Sequence, residues 1–183
     1  SIDGILYSSD GTHLMKFPSF KKVDRSGPVI EDTVTTIDEY AFSYTSYLRT
    51  VELPSSIIEI KEGAFYFSYM DRFRGNLQSV GKYAFGYCWL LTDISLSSLK
   101  EIPEGLFICN YTFKGCNLLT KIKIPSKITK IGKYSFAECS RMKEIVLPKN
   151  VKIIGNYAFS ECISLVYINN VISSYESQTM NNV

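Results

Sequence analysis

Cysteine is the residue type in this chain best equipped for chemistry, as metal ligand, nucleophile or crosslink, and four of its five copies share one local context. Cys88, Cys116, Cys139 and Cys162 each sit three places after a phenylalanine, a position that Thr45, Ser68 and Asn110 take elsewhere. A position that accepts Cys, Thr, Ser and Asn calls for a small side chain with polar character, able to turn inward and bond turn backbone that would otherwise be buried unpaired. Zinc is the rival reading. It needs ligands converging on one point at ~2.3 Å, whereas one sulfur per stacked unit makes a line. Disulfides between neighbouring units fit the permitted Cα separation, since strands stack ~4.8 Å apart, but parallel side-chain directions disfavour them. The expectation is a structural ladder of Cys88, Cys116, Cys139 and Cys162, with Cys109 off the spacing as the candidate for an accessible thiol.

The remaining reactive types do not assemble into a catalytic set. His13 is the only histidine and lies far in sequence from the cysteine positions, so a Cys/His or Ser/His/Asp arrangement has no base. Glu39, Glu62, Glu138 and Glu161 recur at turn positions, which spreads carboxylates along the molecule instead of pairing them for acid–base work. The phosphate-binding glycine loops and the His-Glu-x-x-His zinc motif are absent from the sequence. No catalytic residue, metal or cofactor is expected. Asn110-Tyr111-Thr112 meets the glycosylation rule, making Asn110 a candidate modification site in a secreted setting.

Composition narrows the partners. With 20 Lys and Arg against 18 Asp and Glu, and no long run of either sign, the chain has no electrostatic footprint for nucleic acid. No stretch approaches the ~18 to 20 apolar residues of a membrane span, and the first residues lack the basic start and apolar run of a secretory signal. The opening Ser in place of Met leads us to expect a fragment or a processed chain. Five cysteines are too few and too odd in number for a disulfide-stapled scaffold.

The elements that would position these residues are repeated. Ile37-Asp38-Glu39-Tyr40-Ala41-Phe42, Ile131-Gly132-Lys133-Tyr134-Ser135-Phe136 and Ile154-Gly155-Asn156-Tyr157-Ala158-Phe159 are copies of one phrase. Phe42 to Phe65, Phe113 to Phe136 and Phe136 to Phe159 are each 23 residues apart, while Phe65 to Phe85 is 20 and Phe85 to Phe107 is 22. Six, nine and eleven places after the phenylalanine come apolar residues: Leu48, Val51 and Leu53; Leu91, Ile94 and Leu96; Leu119, Ile122 and Ile124; Met142, Ile145 and Leu147. The last two of each set lie on one side of a strand and the residues flanking them on the other. Pro54, Pro125 and Pro148 follow at once and end the strand. A second apolar patch then returns, as in Ile57 and Ile60.

One such unit cannot stand alone. Fixing some two dozen residues costs roughly 1 to 2 kcal/mol each, and its apolar side chains return only about 1.5 to 3 kcal/mol apiece. Each coil must therefore cover its neighbour, giving a solenoid of about six coils with a parallel sheet on one face and a continuous buried file of phenylalanines. The unit anchored by Phe65 is short, with Met70, Phe73 and Gly75 on its strand and Leu77 and Val80 in an abbreviated return. Gly105 to Asn110 followed by Tyr111 to Cys116 reads as a duplicated phenylalanine-bearing turn. Ser9-Asp10-Gly11 between two apolar runs is a hairpin signal. The sequence thus divides into a hairpin cap and linker over 1–28, repeats over 29–172 and a frayed tail over 173–183.

The phrase running from Ile131 to Pro148, Ile-Gly-x-Tyr-Ser-Phe-x-x-Cys-x-x-Met-x-x-Ile-x-Leu-Pro, resembles the BspA-type leucine-rich repeat. The Asp3 to Gly11 segment is similar to the hairpin that often precedes such arrays. The resemblance implies a β-rich leucine-rich-repeat solenoid and surface proteins of bacteria and mucosal protists, engaged in adhesion to host matrix or cell-surface molecules. The spacings of 20 and 22 and the duplicated turn depart from the family pattern.

Binding is argued from the outward side of the strands. Thr50 and Glu52, Arg72 and Arg74, Asp93 and Ser95, Lys121 and Lys123, Glu144 and Val146, and Tyr167 and Asn169 flank the buried strand position and form the exposed strip. Charge alternates along it from coil to coil, which suits a self-neutralising sheet surface or a mixed-charge protein-binding strip anchored by Arg72, Arg74 and Tyr167. The expected function is a non-catalytic protein- or glycan-binding module at a cell surface. The alternative is an intracellular scaffold built on the same solenoid.

Overall fold

The computed structural model describes residues 3–75, 79–95, 107–108 and 111–169. Asn110, Cys109, Leu77, Leu96 and the 173–183 tail lie outside the described residues. Among the described residues thirteen strands run in order β1 Leu6–Tyr7, β2 His13–Lys16, β3 Thr36–Ile37, β4 Thr50–Glu52, β5 Glu59–Ile60, β6 Arg72–Arg74, β7 Ser79–Val80, β8 Asp93–Ser95, β9 Phe107–Ile108, β10 Lys130–Ile131, β11 Glu144–Val146, β12 Ile153–Ile154 and β13 Tyr167–Asn169. No helix occurs among the described residues. Apart from the antiparallel β1–β2 hairpin, every pairing is parallel and joins one coil to the next.

The sequence predicts one sheet; the structure has two files of strands. The first holds the three-residue strands, as β4-β6-β8 and then β11-β13, with a bridge from Lys123 to Val146 between them. The second begins with the four-residue β2 of the hairpin and continues in two-residue strands at the returning apolar patch, as β2-β3-β5-β7 and then β9-β10-β12. Between the files the chain turns where Pro54, Pro125 and Pro148 each present a carbonyl to the N–H three residues on, at 3.1 to 3.2 Å. The hairpin is part of the second file, because β2 pairs with β1 on one side and with β3 on the other.

The other turn carries the phenylalanines. Phe17, Phe42, Phe65, Phe85, Phe113, Phe136 and Phe159 form one stack with successive ring centroids 4.9 to 5.6 Å apart. Two members differ from the sequence reading. Phe17, placed above in the hairpin segment, begins the stack. Phe107 is not in it: Phe85 stacks directly on Phe113, and Phe107 lies in β9, opposite Lys130 of β10. The segment read as a duplicated turn is therefore a strand followed by a turn, and the coil between Phe85 and Phe113 is the long one, at 28 residues.

Backbone geometry explains why these turns stack. In each turn after that of Phe17, the residues two before and two after the phenylalanine have positive φ: Tyr40 and Tyr44, Gly63 and Phe67, Tyr83 and Tyr87, Tyr111 and Gly115, Tyr134 and Glu138, Tyr157 and Glu161. Alternating left- and right-handed residues aim every second N–H along the solenoid axis. Phe42 donates to the Ala64 carbonyl at 2.7 Å, Phe65 to Ala84 at 2.8 Å, Phe85 to Thr112 at 3.0 Å, Phe113 to Ser135 at 2.7 Å and Phe136 to Ala158 at 2.8 Å. Tyr44 and Tyr87 likewise donate to Tyr66 and Lys114 of the following coil. A left-handed non-glycine residue costs roughly 1 to 2 kcal/mol. One inter-coil hydrogen bond contributes about 0.5 to 1.5 kcal/mol and one ring pair about as much again, enough to offset it. Glycine is required where a ring crosses the position: a Cβ on Gly63 would lie 2.3 Å from the Tyr40 ring, and one on Gly115 would lie 2.4 Å from the Tyr87 ring.

Beside the phenylalanines run Thr45, Ser68, Cys88, Cys116, Cys139 and Cys162, all buried. Thr45 and Ser68 bond each other at 2.8 Å. Each thiol donates across the coil boundary to the carbonyl of the previous phenylalanine in the stack: Cys88 to Phe65, Cys116 to Phe85, Cys139 to Phe113 and Cys162 to Phe136, at 3.0 to 3.2 Å. Burial pushes the Cys88 and Cys162 thiols up to about 12 and the two between them well above the ordinary range.

Three outcomes follow. Phe136→Ala should destabilise by about 3 to 5 kcal/mol in denaturant titration, and an unchanged midpoint would remove Phe136 from the core. Gly115→Ala, strained in φ and against the Tyr87 ring, should cost more than about 1 kcal/mol. The four buried thiols should alkylate only as fast as the protein unfolds. Because their folded pKa values are raised, their contribution to stability is fully present below the ordinary thiol value of 9.0 and is lost as pH climbs toward about 12. Replacing all four by serine should flatten that alkaline loss in unfolding titrations.

Candidate functional site

The outward residues of the first strand file lie where the alternation of strand side chains puts them. Val51, Phe73 and Ile94 point into the core at the centres of β4, β6 and β8, so the residues on either side face solvent. Thr50, Arg72 and Asp93 are in register, as are Glu52, Arg74 and Ser95. Glu52, Arg72 and Asp93 are exposed and Thr50, Arg74 and Ser95 half-buried. On the later coils Lys121, Lys123, Glu144, Val146 and Tyr167 are exposed, while for Asn169 the structure gives only its backbone pairing with Val146.

The charges do not simply neutralise across the strands. Arg74 reaches diagonally to Asp93 instead of straight across to Glu52, forming a hydrogen-bonded ion pair. That bond holds the Asp93 carboxyl below its usual range and raises the Arg74 guanidinium. The strip is also not flat. Beside Asp93 of β8 and Lys121 a concavity of about 490 Å³ opens, lined by Thr92, Asp93, Ile94, Lys121, Ile122, Lys123, Glu144 and Val146. Its walls combine both signs of charge around the apolar Ile94, Ile122 and Val146, which suits a partner with mixed chemistry and not a uniform polyanion.

The other candidates do not converge on this surface. Cys88, Cys116, Cys139 and Cys162 are interior, as described, and no group of three or more His, Cys, Asp or Glu side chains suited to a metal ion occurs among the described residues. His13 bonds Asp38 through Nδ1 at 2.8 Å, and the same carboxylate oxygen receives Lys61 at 2.8 Å. This places the histidine in a surface polar cluster on the second strand file, away from the thiols of Cys88, Cys116, Cys139 and Cys162. Glu138 is paired with Lys114 at 3.1 Å.

Sequence reasoning missed a second surface, made by the tyrosines at the left-handed positions. Tyr83, Tyr111, Tyr134 and Tyr157 stack at 4.6 to 5.1 Å on one side of the phenylalanine turns. Tyr44, Phe67 and Tyr87 stack at 4.9 to 5.4 Å on the other. Tyr66 stands edge-on between the two columns, 5.7 to 6.2 Å from Tyr40, Tyr44, Tyr83 and Tyr87. Lys114 holds the equivalent place one residue after Phe113, among Tyr87, Tyr111 and Tyr134. Burial works against its charge, but hydrogen bonds to Tyr87 and Glu138 prevail and raise its pKa. The signal for this surface was present: aromatic residues recur two places before and after the anchoring phenylalanine.

No helix is long and apolar enough to cross a membrane among the described residues. No curated protein matches the chain at a significant level. Among solved structures it is similar to a leucine-rich repeat protein from Eubacterium ventriosum, with a TM-score of 0.77 and 27% identity over 96% of this chain and 45% of that one. It is similar to a leucine-rich repeat protein of T. pallidum, with a TM-score of 0.58 and 30% identity over 65% of this chain and 57% of that one. A leucine-rich cell surface protein from Faecalibacterium prausnitzii gives a TM-score of 0.59 and 29% identity over 97% of this chain and 40% of that one. The chain thus spans 40 to 57% of the length of these three structures. The family model for the BspA-type leucine-rich repeat region matches six copies over residues 16–110 and 106–182. The chain belongs to the BspA-type leucine-rich-repeat family.

Proposed function

We propose that the chain is a non-catalytic recognition module that takes a protein or glycan at a cell surface through the outward side of its three-residue strands. The observation that carries this reading is the concavity in the strip. Lys121 and Lys123 line it, and paired strands present Arg72 and Arg74 next to β8, which forms its other wall. Its lining mixes charge with the apolar Ile94, Ile122 and Val146. Binding sites of this kind need a preformed hollow with a few convergent polar groups, and arginine and tyrosine are the residue types that most often anchor protein partners. A surface location is supported by the relative from F. prausnitzii, which is described as a cell surface protein. Adhesion to host matrix or host-cell molecules is the specific form suggested by the family resemblance.

The test is capture from host-cell surface and matrix extracts, comparing the wild-type chain with Arg72→Glu, Arg74→Glu, Lys121→Glu and Lys123→Glu combined. These residues are on the solvent side, so the thermal midpoint should change little. Bound material should fall by roughly tenfold, the loss expected when even one anchoring contact is removed. Equal capture by the variant would move the site off this face.

A further inference from the structure

The two halves of the tyrosine-bearing turn surface differ in one respect. In the later coils the rings carry the protein's own cations: Lys82 lies 5.3 Å from the Tyr83 centroid and 5.6 Å from Tyr111, Lys133 lies 5.2 Å from Tyr134, and Lys114 lies within 6.0 Å of three rings. In the earlier coils a continuous series of ring contacts leads from Tyr40 through Tyr66, Tyr44, Phe67 and Trp89 to Tyr69. Among the described residues no lysine or arginine stands over any of these six rings. Four of them, Tyr40, Tyr44, Tyr69 and Trp89, are 39 to 56% exposed.

Charge follows the same division. Three places before the anchoring phenylalanine the first two turns carry Glu39 and Glu62, where the third and fifth carry Lys82 and Lys133. The Tyr40 side chain is hydrogen-bonded to Glu62, and Glu39 is well exposed. The lysines nearest these turns already have partners there: Lys61 bonds Asp38 at 2.8 Å and lies 3.8 Å from Glu39, and Lys16 bonds the Tyr40 carbonyl at 2.9 Å, so neither lies over a ring. A patch of partly exposed aromatic rings bordered by carboxylates attracts a cation.

We propose that the turn surface of the first three coils, centred on Tyr44, Tyr69 and Trp89 with Glu39 and Glu62 at its border, binds an arginine- or lysine-bearing segment of a partner protein. The later coils supply the internal precedent, since the same architecture there holds lysine. This surface is distinct from the strand strip, and the proposal stands whether or not the strip binds anything.

Trp89 is the only tryptophan, so its fluorescence reports on this patch alone. The probe is the capped peptide acetyl-Gly-Arg-Gly-Arg-Gly-amide, titrated beside the same peptide with citrulline in place of arginine. The arginine peptide should change Trp89 emission saturably and the neutral isostere should not. Tyr69→Ala, at an exposed position of ordinary backbone, should weaken binding about fivefold, the weight of one partly desolvated cation–π contact. Glu62→Gln, which keeps the side-chain shape, should also weaken it. The variant with four reversed charges on the strand strip should bind the peptide as the wild type does, which separates this site from the other. The proposal is overturned if the citrulline peptide works equally well, if neither variant weakens binding, or if only a neutral oligosaccharide such as maltoheptaose perturbs Trp89.

Discussion

Every coil of this molecule is held to the next by the turn that carries the phenylalanine. There the ring, the alternate N–H groups and a small polar side chain all reach across one coil boundary. The strand files depend on it. Among the described residues neither file pairs across the long coil that follows Phe85, yet the ring stack and the turn hydrogen bonds pass from Phe85 to Phe113 without a gap. A two-residue strand fixes little by itself. The stacked turn sets the register in which such short strands can pair.

That arrangement also accounts for the cysteines. A thiol donor at the inner side of the turn satisfies a carbonyl of the previous coil at low steric cost, whereas the hydroxyl of Thr45 bonds the Phe42 carbonyl of its own turn and links across the boundary to the Ser68 hydroxyl. Packed this way, the sulfurs are removed from redox chemistry and metal binding by the same burial that raises their pKa. Their reduced state therefore carries no information about compartment.

Much of this was legible in the sequence, because the interior obeys a period. The phenylalanine spacing gave the stack, and the apolar positions after it gave the inward sides of β4, β8 and β11. The failure at Phe107 is instructive. A spacing of 22 from Phe85 was close enough to the period to pass, but Phe107 has Gly105 two places before it and Asn110 three places after. The true member, Phe113, has the full Tyr-x-Phe-x-x-Cys context. The tyrosine columns went unseen for a different reason. Positive φ is ordinarily a glycine, asparagine or aspartate property, so nothing in tyrosine's own preferences announces that it will occupy such a position. Only the neighbouring coil, by supplying a hydrogen-bond partner and a ring to lie on, makes the conformation favourable. The ion pair between Arg74 and Asp93 was equally hidden, since alternation of charge does not say whether a bond runs straight or diagonally.

The turn hydrogen bonds have one more implication. At Phe42, Phe65, Phe85, Phe113 and Phe136 the donor always belongs to the earlier coil and the acceptor to the later one. The solenoid therefore has a polarity like that of a head-to-tail polymer. A repeat grafted after the last turn must offer its turn carbonyl to the preceding phenylalanine N–H, and one grafted before the first must offer that N–H, while thiols and many strand amides donate in the opposite sense. An inverted unit, however well its apolar residues matched, would set like dipoles against each other and could not join.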